Sequence, residues 1–511
     1  MLTRTGRIAT GVALLALAVS ACTAGSSTTP GATGGSTGGS GGDSAGSISV
    51  GLVLEPASLD FTKVDGAAIP QALLTNVYET LVKQDQDGKI VPSLATAWKV
   101  SDDKKTYTFD LTPNAKFSNG DPFTADDAVF SINRVKTDWT ISLKKAMNVV
   151  AEAKAVSPTQ LQVTLSQPSN DWLFRMTTRI GAMMDPKGVD ALATKPVGTG
   201  PYLFDTWNRG DSITLTANSG YWGKQPAYST VVLKYFKDAT ALNNALLTGT
   251  INVIGTVQAP ETLKQFEGNA KYQVIQGTTN GEVVLSFNNA KAPLNNLKLR
   301  QAIRTAIDHK ALMDTSWAGK GTLIGSMVPP TDPWYEDRTG DFPYNQTKAK
   351  TLLAESGNAT ATLRLRVPNV PYAVSCGQVV KSQLEQVGLI VNLETLEFQG
   401  QWLPQVFTNH DYDMSIVAHV EPRDLPAVFG NPQYYTQYNN AQLQTDIAAA
   451  DAGATDEQIT DMKKAAQELS QDAAADFLFL LPNLIVADKS VTGLPKNGIT
   501  EAFDLSALGK A

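Results

Sequence analysis

The chain of 511 residues sets 42 Lys and Arg against 49 Asp and Glu, a formal net charge of −7. Loss of a leader that holds Arg4 and Arg7 and no acid takes this to −9, a balance that argues against nucleic acid, whose phosphates reward clustered Lys and Arg. Two cysteines, Cys22 and Cys376, leave no disulfide once Cys22 is used otherwise, and about 465 residues beyond leader and linker exceed one compact core, so two lobes or more are expected.

The first 21 residues have the order of a secretory signal: Arg4 and Arg7, an apolar run from Ile8 to Val19, then small residues before a cysteine. The run is too short for a permanent span, which needs roughly 20 apolar residues. Val19-Ser20-Ala21-Cys22 resembles a bacterial lipobox, which implies cleavage before Cys22 and lipid on its thiol and amine. The alternative is an ordinary signal whose cleavage site happens to hold a cysteine. Residues 22–47 are almost entirely Gly, Ser, Thr and Ala, a flexible tether reaching about 25 to 30 Å. No second long apolar segment follows, so the body is expected outside the membrane and anchored to it.

The body opens with an apolar strand, Ile48 to Val53, running into the turn-like Glu55-Pro56-Ala57-Ser58. Helical spacing covers Ile69 to Val82, and Tyr107, Phe109 and Leu111 alternate as a strand. Thr124 with Asp127 predicts a capping box. Leu161, Val163 and Leu165 give another strand, and Ile213, Leu215 and Ala217 a hairpin arm after Gly198-Thr199-Gly200-Pro201-Tyr202. Strand Val231 to Phe236, helix Ala239 to Leu247 and strand Ile251 to Ile254 suggest a βαβ unit. Val283 to Phe287 is a strand and the first candidate crossing between lobes. Leu299, Ala302, Ile303, Ala306 and Ile307 fall on one face of a core helix. Asn345 caps a helix that stops at Gly357, and a second strand–helix–strand run covers Leu363 to Leu396 with a stop at Gly388. Thr455 with Gln458 predicts a further cap, and Phe477 to Val486 a buried strand returning to the first lobe.

Several stretches together resemble the bacterial extracellular solute-binding proteins of family 5. They are Pro92-Ser93-Leu94-Ala95 with Trp98, Phe117-Ser118-Asn119-Gly120-Asp121-Pro122-Phe123-Thr124-Ala125-Asp126-Asp127, Gly198 to Tyr202, Tyr221-Trp222, Leu299-Arg300-Gln301-Ala302-Ile303 through Asp308, Pro329-Pro330, Tyr344-Asn345 with Leu352-Leu353, and Asp411-Tyr412-Asp413-Met414. Thr112 departs from the family's usual basic residue. The resemblance implies an α/β, bilobal, periplasmic-binding-protein-like fold (Venus flytrap, type II or cluster C) with an extra subdomain in the first lobe. The boundaries expected on that basis are a signal at 1–21, a linker at 22–47, lobe 1 at 48–284 with 483–511 (subdomain about 83–190), and lobe 2 at 285–482. It also implies a monomeric, non-enzymatic receptor that passes a small solute, a peptide in the first instance, to ABC permease subunits, without a cofactor.

The same resemblance points to His419-Val420-Glu421-Pro422-Arg423-Asp424 as the segment whose acid pairs with a peptide α-ammonium, Asp424 first and Glu421 second. A charged hydrogen bond of that kind contributes roughly 1.5 to 3 kcal/mol. The competing reading has Arg423 pair with either acid and cancel the site. Val370-Pro371-Tyr372 stands where dipeptide receptors carry a carboxylate-binding arginine, and the nearest arginines are Arg364 and Arg366, which favours a longer peptide over a dipeptide. Trp402, Tyr434, Tyr435 and Trp207 are candidate cleft aromatics or lobe core, and Glu55 and Ser58 sit on a loop that in the family faces the solute. Cys376 reads as a buried structural thiol.

Other classes are weaker. Gly42-Asp43-Ser44-Ala45-Gly46 fits GxSxG but lies in the linker, and Ser142 with Lys145 fits SxxK with no KTG after it. His410 and His419 are too few for a tight bare-ion site, so metal is not expected; a sugar or a metal chelate remains the alternative solute, and a secreted hydrolase the alternative class.

Overall fold

The computed structural model describes residues 46–511. Cys22, the signal at 1–21 and nearly all of the linker lie outside the described residues. The first strand is Ser47–Leu52, beginning one residue earlier than its apolar pattern. It runs parallel to Thr230–Tyr235 on one side and to Val253–Ile254 on the other, with helix Ala239–Leu247 between those two in sequence, so the expected βαβ unit forms. Gly51 is required there, because a Cβ would meet Ile251 and Leu242 methyls at 2.5 Å.

Ten strands make one sheet. From one edge they run Ile390–Leu396, Thr362–Pro368, Met414–His419, Tyr272–Phe287, Ala475–Asp488, Val253–Ile254, Ser47–Leu52, Thr230–Tyr235, Ser212–Ala217 and Tyr202–Asn208. The two long central strands are the organising pair. The run expected over 283–287 is the last five residues of a 16-residue strand, and 477–486 is the middle of a 14-residue one. They pair antiparallel with a register shift between Thr278 and Glu282, near Gly281 and opposite Pro482. A proline and a glycine at one level weaken the ladder there, since one removes a donor and the other adds backbone freedom. Before the shift Tyr272 packs with Leu242, Phe266 and Val486; after it Val283, Leu285 and Phe287 pack with Leu299, Ile303 and Val380. The same two strands thus enter different apolar clusters on either side of the shift, with Val284, Phe477 and Leu480 in a third and Ile485 and Ala487 in a fourth.

A four-stranded antiparallel sheet, in the order Ala95–Val100, Thr106–Leu111, Gln160–Leu165, Val150–Ser157, stands apart from the large sheet. Helix Ala125–Thr137 packs on it and opens with the predicted box, Asp127 accepting from the Thr124 backbone N–H and hydroxyl at 2.8 and 2.9 Å. Asn345 caps Gln346–Ser356, and Gly357 ends that helix at φ +71°. Gly388 likewise follows Pro371–Gln386 at φ +108°.

Two expectations change. The spacing over 69–82 forms a helix only at Ala68–Leu73, because Thr75 turns to φ +62° and the Asn76 side chain donates to Ala72 O and Phe503 O. Its later apolar residues are buried without being helical. The helix Thr455–Gln471 is capped one residue before the predicted cap: Ala454 N–H donates to Glu457 at 2.6 Å, and Thr455 is already inside the helix. The core helix Leu297–Ala306 forms as expected, and it also buries Arg300 and Arg304, the latter 3.3 Å from Asp476, whose carboxylate is fully buried.

Candidate functional site

The site grows from the end of the strand Met414–His419. Side chains directly opposite on an antiparallel pair share a face, and His419 lies opposite Glu282 on the long strand. On that face the His419 Nε2 is 3.0 Å from the Tyr435 hydroxyl, which meets the Ser286 hydroxyl at 2.6 Å, and the imidazole stacks on the Tyr435 ring. Burial lowers the His419 pKa to about 4, so the ring is neutral at pH 7.

Five residues on, Asp424 leads into the short helix Leu425–Val428. Its side chain is buried, and Oδ2 has no hydrogen-bond partner. The nearest base is His419 Nδ1 at 4.0 Å, too long for a hydrogen bond and uncharged. Burial, then the charge of Glu421, holds the Asp424 carboxyl well above the usual carboxylate range, and Arg175 pulls it back. Glu421 keeps an exposed surface, and crowding by the protein, with Glu501 and Asp65, raises its carboxyl against the pull of Arg179.

Arg423 does not cancel these acids. Its backbone is left-handed at φ +54°, and its guanidinium lies 3.9 Å above the Phe174 ring and 4.8 Å from that of Trp334. Its ion-pair partner is Asp332, 3.8 Å away; burial pushes the Asp332 carboxyl up to about 6 against the pull of Arg423. Arg175, from helix Asn170–Arg175, binds Asp171 at 2.9 Å and donates to the carbonyls of Pro422 and Arg423 at 3.1 and 3.2 Å. Ser169 hydroxyl and Asp171 N–H both donate to Asp451 Oδ1, at 2.9 and 2.8 Å. These bonds tie the subdomain helix to the segments that carry Asp424 and Asp451. Beside them lies a cavity of about 270 Å³ walled by Asp171, Trp334, Arg423, Pro426, Asp451 and Met462.

The aromatic candidates divide. Trp402 is buried, stacked on Phe398 and donating its indole N–H to Ser415 at 3.0 Å, and Tyr435 is buried beside it. Both form the floor beneath the site. Tyr434 is half-buried, 5.2 Å from the Tyr435 ring, and rises from that floor. Glu55 and Ser58 have local partners: Glu55 accepts from Trp207 Nε1 at 2.8 Å and from Gly210 N–H, while Ser58 accepts from Asp60 N–H. Glu55 and Ser58 lie on the loop after Ser47–Leu52, Glu55 bonded to Trp207 of the strand Tyr202–Asn208, and none of these bonds brings them to the Asp424 group.

Arg364 pairs with Asp411 and Asp413, and Arg366 with Glu394 and Asp411. Val370 and Pro371 start the helix Pro371–Gln386, and the Tyr372 hydroxyl accepts from Ala418 N–H at 2.9 Å. Cys376 is buried, and burial pushes its thiol up to about 12, out of the reactive range. Among the described residues no group of three or more His, Cys, Asp or Glu is arranged to hold a metal ion, and no helix is long and apolar enough to cross a membrane.

The sequence reading did not find Glu282, Asp332, Arg175, Phe174 or Trp334, which meet the 419–424 segment from far along the chain. Glu282 left one signal, an acid bordering the apolar run 283–287.

The family model described as "Bacterial extracellular solute-binding proteins, family 5 Middle" matches residues 89–442. The nickel-binding periplasmic protein of Escherichia coli is 31% identical over 346 residues, 62% of this chain and 65% of that relative, so the match spans just under two thirds of the relative's length. The glutathione-binding protein of Salmonella paratyphi A is 25% identical over 472 residues, 86% of this chain and 92% of the relative. Among solved structures, the ABC transporter-associated periplasmic binding protein DppA of Helicobacter pylori, in complex with peptide STSA, superposes with a TM-score of 0.80 at 21% identity, covering 91% of this chain and 98% of that one. The fold is therefore that of the periplasmic binding proteins, and with a family match across most of its length the chain belongs to the bacterial extracellular solute-binding proteins of family 5.

Proposed function

We propose that this protein is the solute-capturing receptor of an ABC importer, and that its solute is a peptide held by its free amino terminus at Asp424. The observation that carries the reading is the buried Asp424 carboxylate with Oδ2 unpartnered. Such a group is costly unless something charged comes to it, and an α-ammonium supplies three donors. Half-buried Tyr434 offers a ring face beside it. No arginine is free at the Val370 position, since Arg364 and Arg366 are spent on carboxylates, so a peptide longer than two residues, held along its backbone, fits better than a dipeptide.

The two lobes are 48–284 with 483–511 and 285–482, crossing in the strand at 283–287 and again near 482. Binding is closure of these halves about the solute without chemical change, followed by docking on the permease. The body works outside the cytoplasm, as a monomer tethered by lipid on Cys22.

Titration calorimetry with Ala-Ala-Ala-Ala and its N-acetyl form tests this. The free-amine peptide binds, the acetylated one does not, and Asp424→Asn weakens binding by about tenfold to a hundredfold. Equal affinity of both peptides, or of both proteins, refutes the Asp424 anchor. Bound at a hundred times its dissociation constant, the peptide adds about 2.7 kcal/mol of stability.

A further inference from the structure

A second carboxylate at this site has no partner. Glu282 is 2% exposed, and its Oε2 makes no hydrogen bond. It sits where the ladder resumes after the register shift, between His419 on one neighbouring strand and Leu480 on the other. The charges that act on it are those of Asp424, Asp332 and Glu421, all acidic. The neighbouring cations are engaged elsewhere: Arg423 with Asp332 between two rings, Arg175 with Asp171 and two carbonyls. His419, beside it, is committed to Tyr435. Two buried carboxyl groups from separate segments, Glu282 opposite His419 and Asp424 4.0 Å from the same His419, thus each leave an oxygen unpartnered; guest-free they stay neutral by keeping protons, and ionising them calls for a cationic visitor.

We propose that Glu282 is a second anchor for the guest, so that the site selects an end carrying two cationic groups, such as a free amino terminus on a basic first residue. This rests on the reading of Asp424 as the first anchor. An acidic first residue is excluded by the same charges. The Asp424 carboxylate takes one nitrogen, Glu282 the other, and neither is left uncompensated in the closed form.

Titration calorimetry on the full chain, wild type and Glu282→Gln, with Lys-Ala-Ala-Ala, Ala-Ala-Ala-Ala and 1,5-diaminopentane decides it; the diamine keeps the two nitrogens of lysine at the same spacing without a peptide bond. The expected result is at least tenfold tighter binding of the lysine peptide than of tetra-alanine by the wild type, loss of that preference in E282Q with tetra-alanine affinity within about twofold, and diamine binding by the wild type alone. Tetra-alanine bound as tightly as the lysine peptide, with no diamine binding, overturns the second anchor while the peptide reading stands. Diamine binding that depends on Glu282, with neither peptide bound, upholds the second anchor and refutes the peptide reading. No binding of any probe refutes both. Melting of guest-free E282Q at or above the wild-type temperature shows that the variant folds; if it does not fold, the wild-type ranking of the three probes decides alone.

Discussion

Asp424, Glu282 and His419 make the guest-free site a place where protonation and folding are linked. Burial and neighbouring carboxylates raise the Asp424 and Glu282 carboxyls, so the native state keeps protons that the unfolded chain releases at about pH 4. Stability from these groups is full below that range and is lost as pH rises through the raised values, by up to about 1.4 kcal/mol per pH unit for each group. Asp332, raised to about 6, adds to the loss below that pH. His419 acts in the opposite sense: lowered to about 4, it stays neutral while the unfolded imidazole protonates near pH 6.5, so stability falls as pH drops through that window. Urea unfolding from pH 4 to 8 should show Glu282→Gln and Asp424→Asn losing less stability than the wild type as pH rises above about 4, and His419→Gln losing less as pH falls below about 6.5. Parallel curves for all four proteins contradict this. The segment carrying Asp424 was legible in the sequence because its acids, histidine and arginine are contiguous. Glu282 was not, because its meaning lies in the strand beside it.

Helix Asn170–Arg175 is the element that joins the subdomain to the site. Ser169 caps it by accepting from Trp172 N–H at 3.2 Å, and the same hydroxyl donates to Asp451 at the end of helix Ala441–Ala452. The Asn170 side chain adds bonds to the carbonyls of Ala450 and Gly453, and Lys104 one to Gly453. Asp451→Ala removes the acceptor of two of these bonds, at a cost of about 1 to 2 kcal/mol. Amide hydrogen exchange over 169–176 should then quicken in the peptide-bound protein, while the helix Leu297–Ala306 keeps its protection. Unchanged exchange at 169–176 means the strap contributes nothing. Most elements were readable from local rules: Thr124 with Asp127, Asn345 and Gly357 announce helix ends by side-chain chemistry alone. The segment 69–82 was not, because burial at helical spacing there serves an irregular core piece pinned by Asn76 to distant Phe503. The strand Tyr272–Phe287 was read only over 283–287 because Gly277 and Gly281 interrupt its apolar pattern, whereas the run 477–486 was read through Pro482 and falls short of Ala475–Asp488 only at its ends.

At the scale of the molecule, two long strands run through several apolar clusters with a register shift between Thr278 and Glu282, and side-chain bonds join helix Asn170–Arg175 to the segments at 422–423 and 450–453. That arrangement suits closure on a guest and release of it. Small-angle scattering should show the radius of gyration falling when Lys-Ala-Ala-Ala is added, and no change with its N-acetyl form. The direct test of capture without chemistry is native mass spectrometry of the protein incubated with an equimolar mixture of free-amine and N-acetylated tetrapeptides. The account predicts one intact free-amine peptide per chain, recovered at its original mass. Cleaved or modified peptide, or equal loading of the acetylated form, would contradict it.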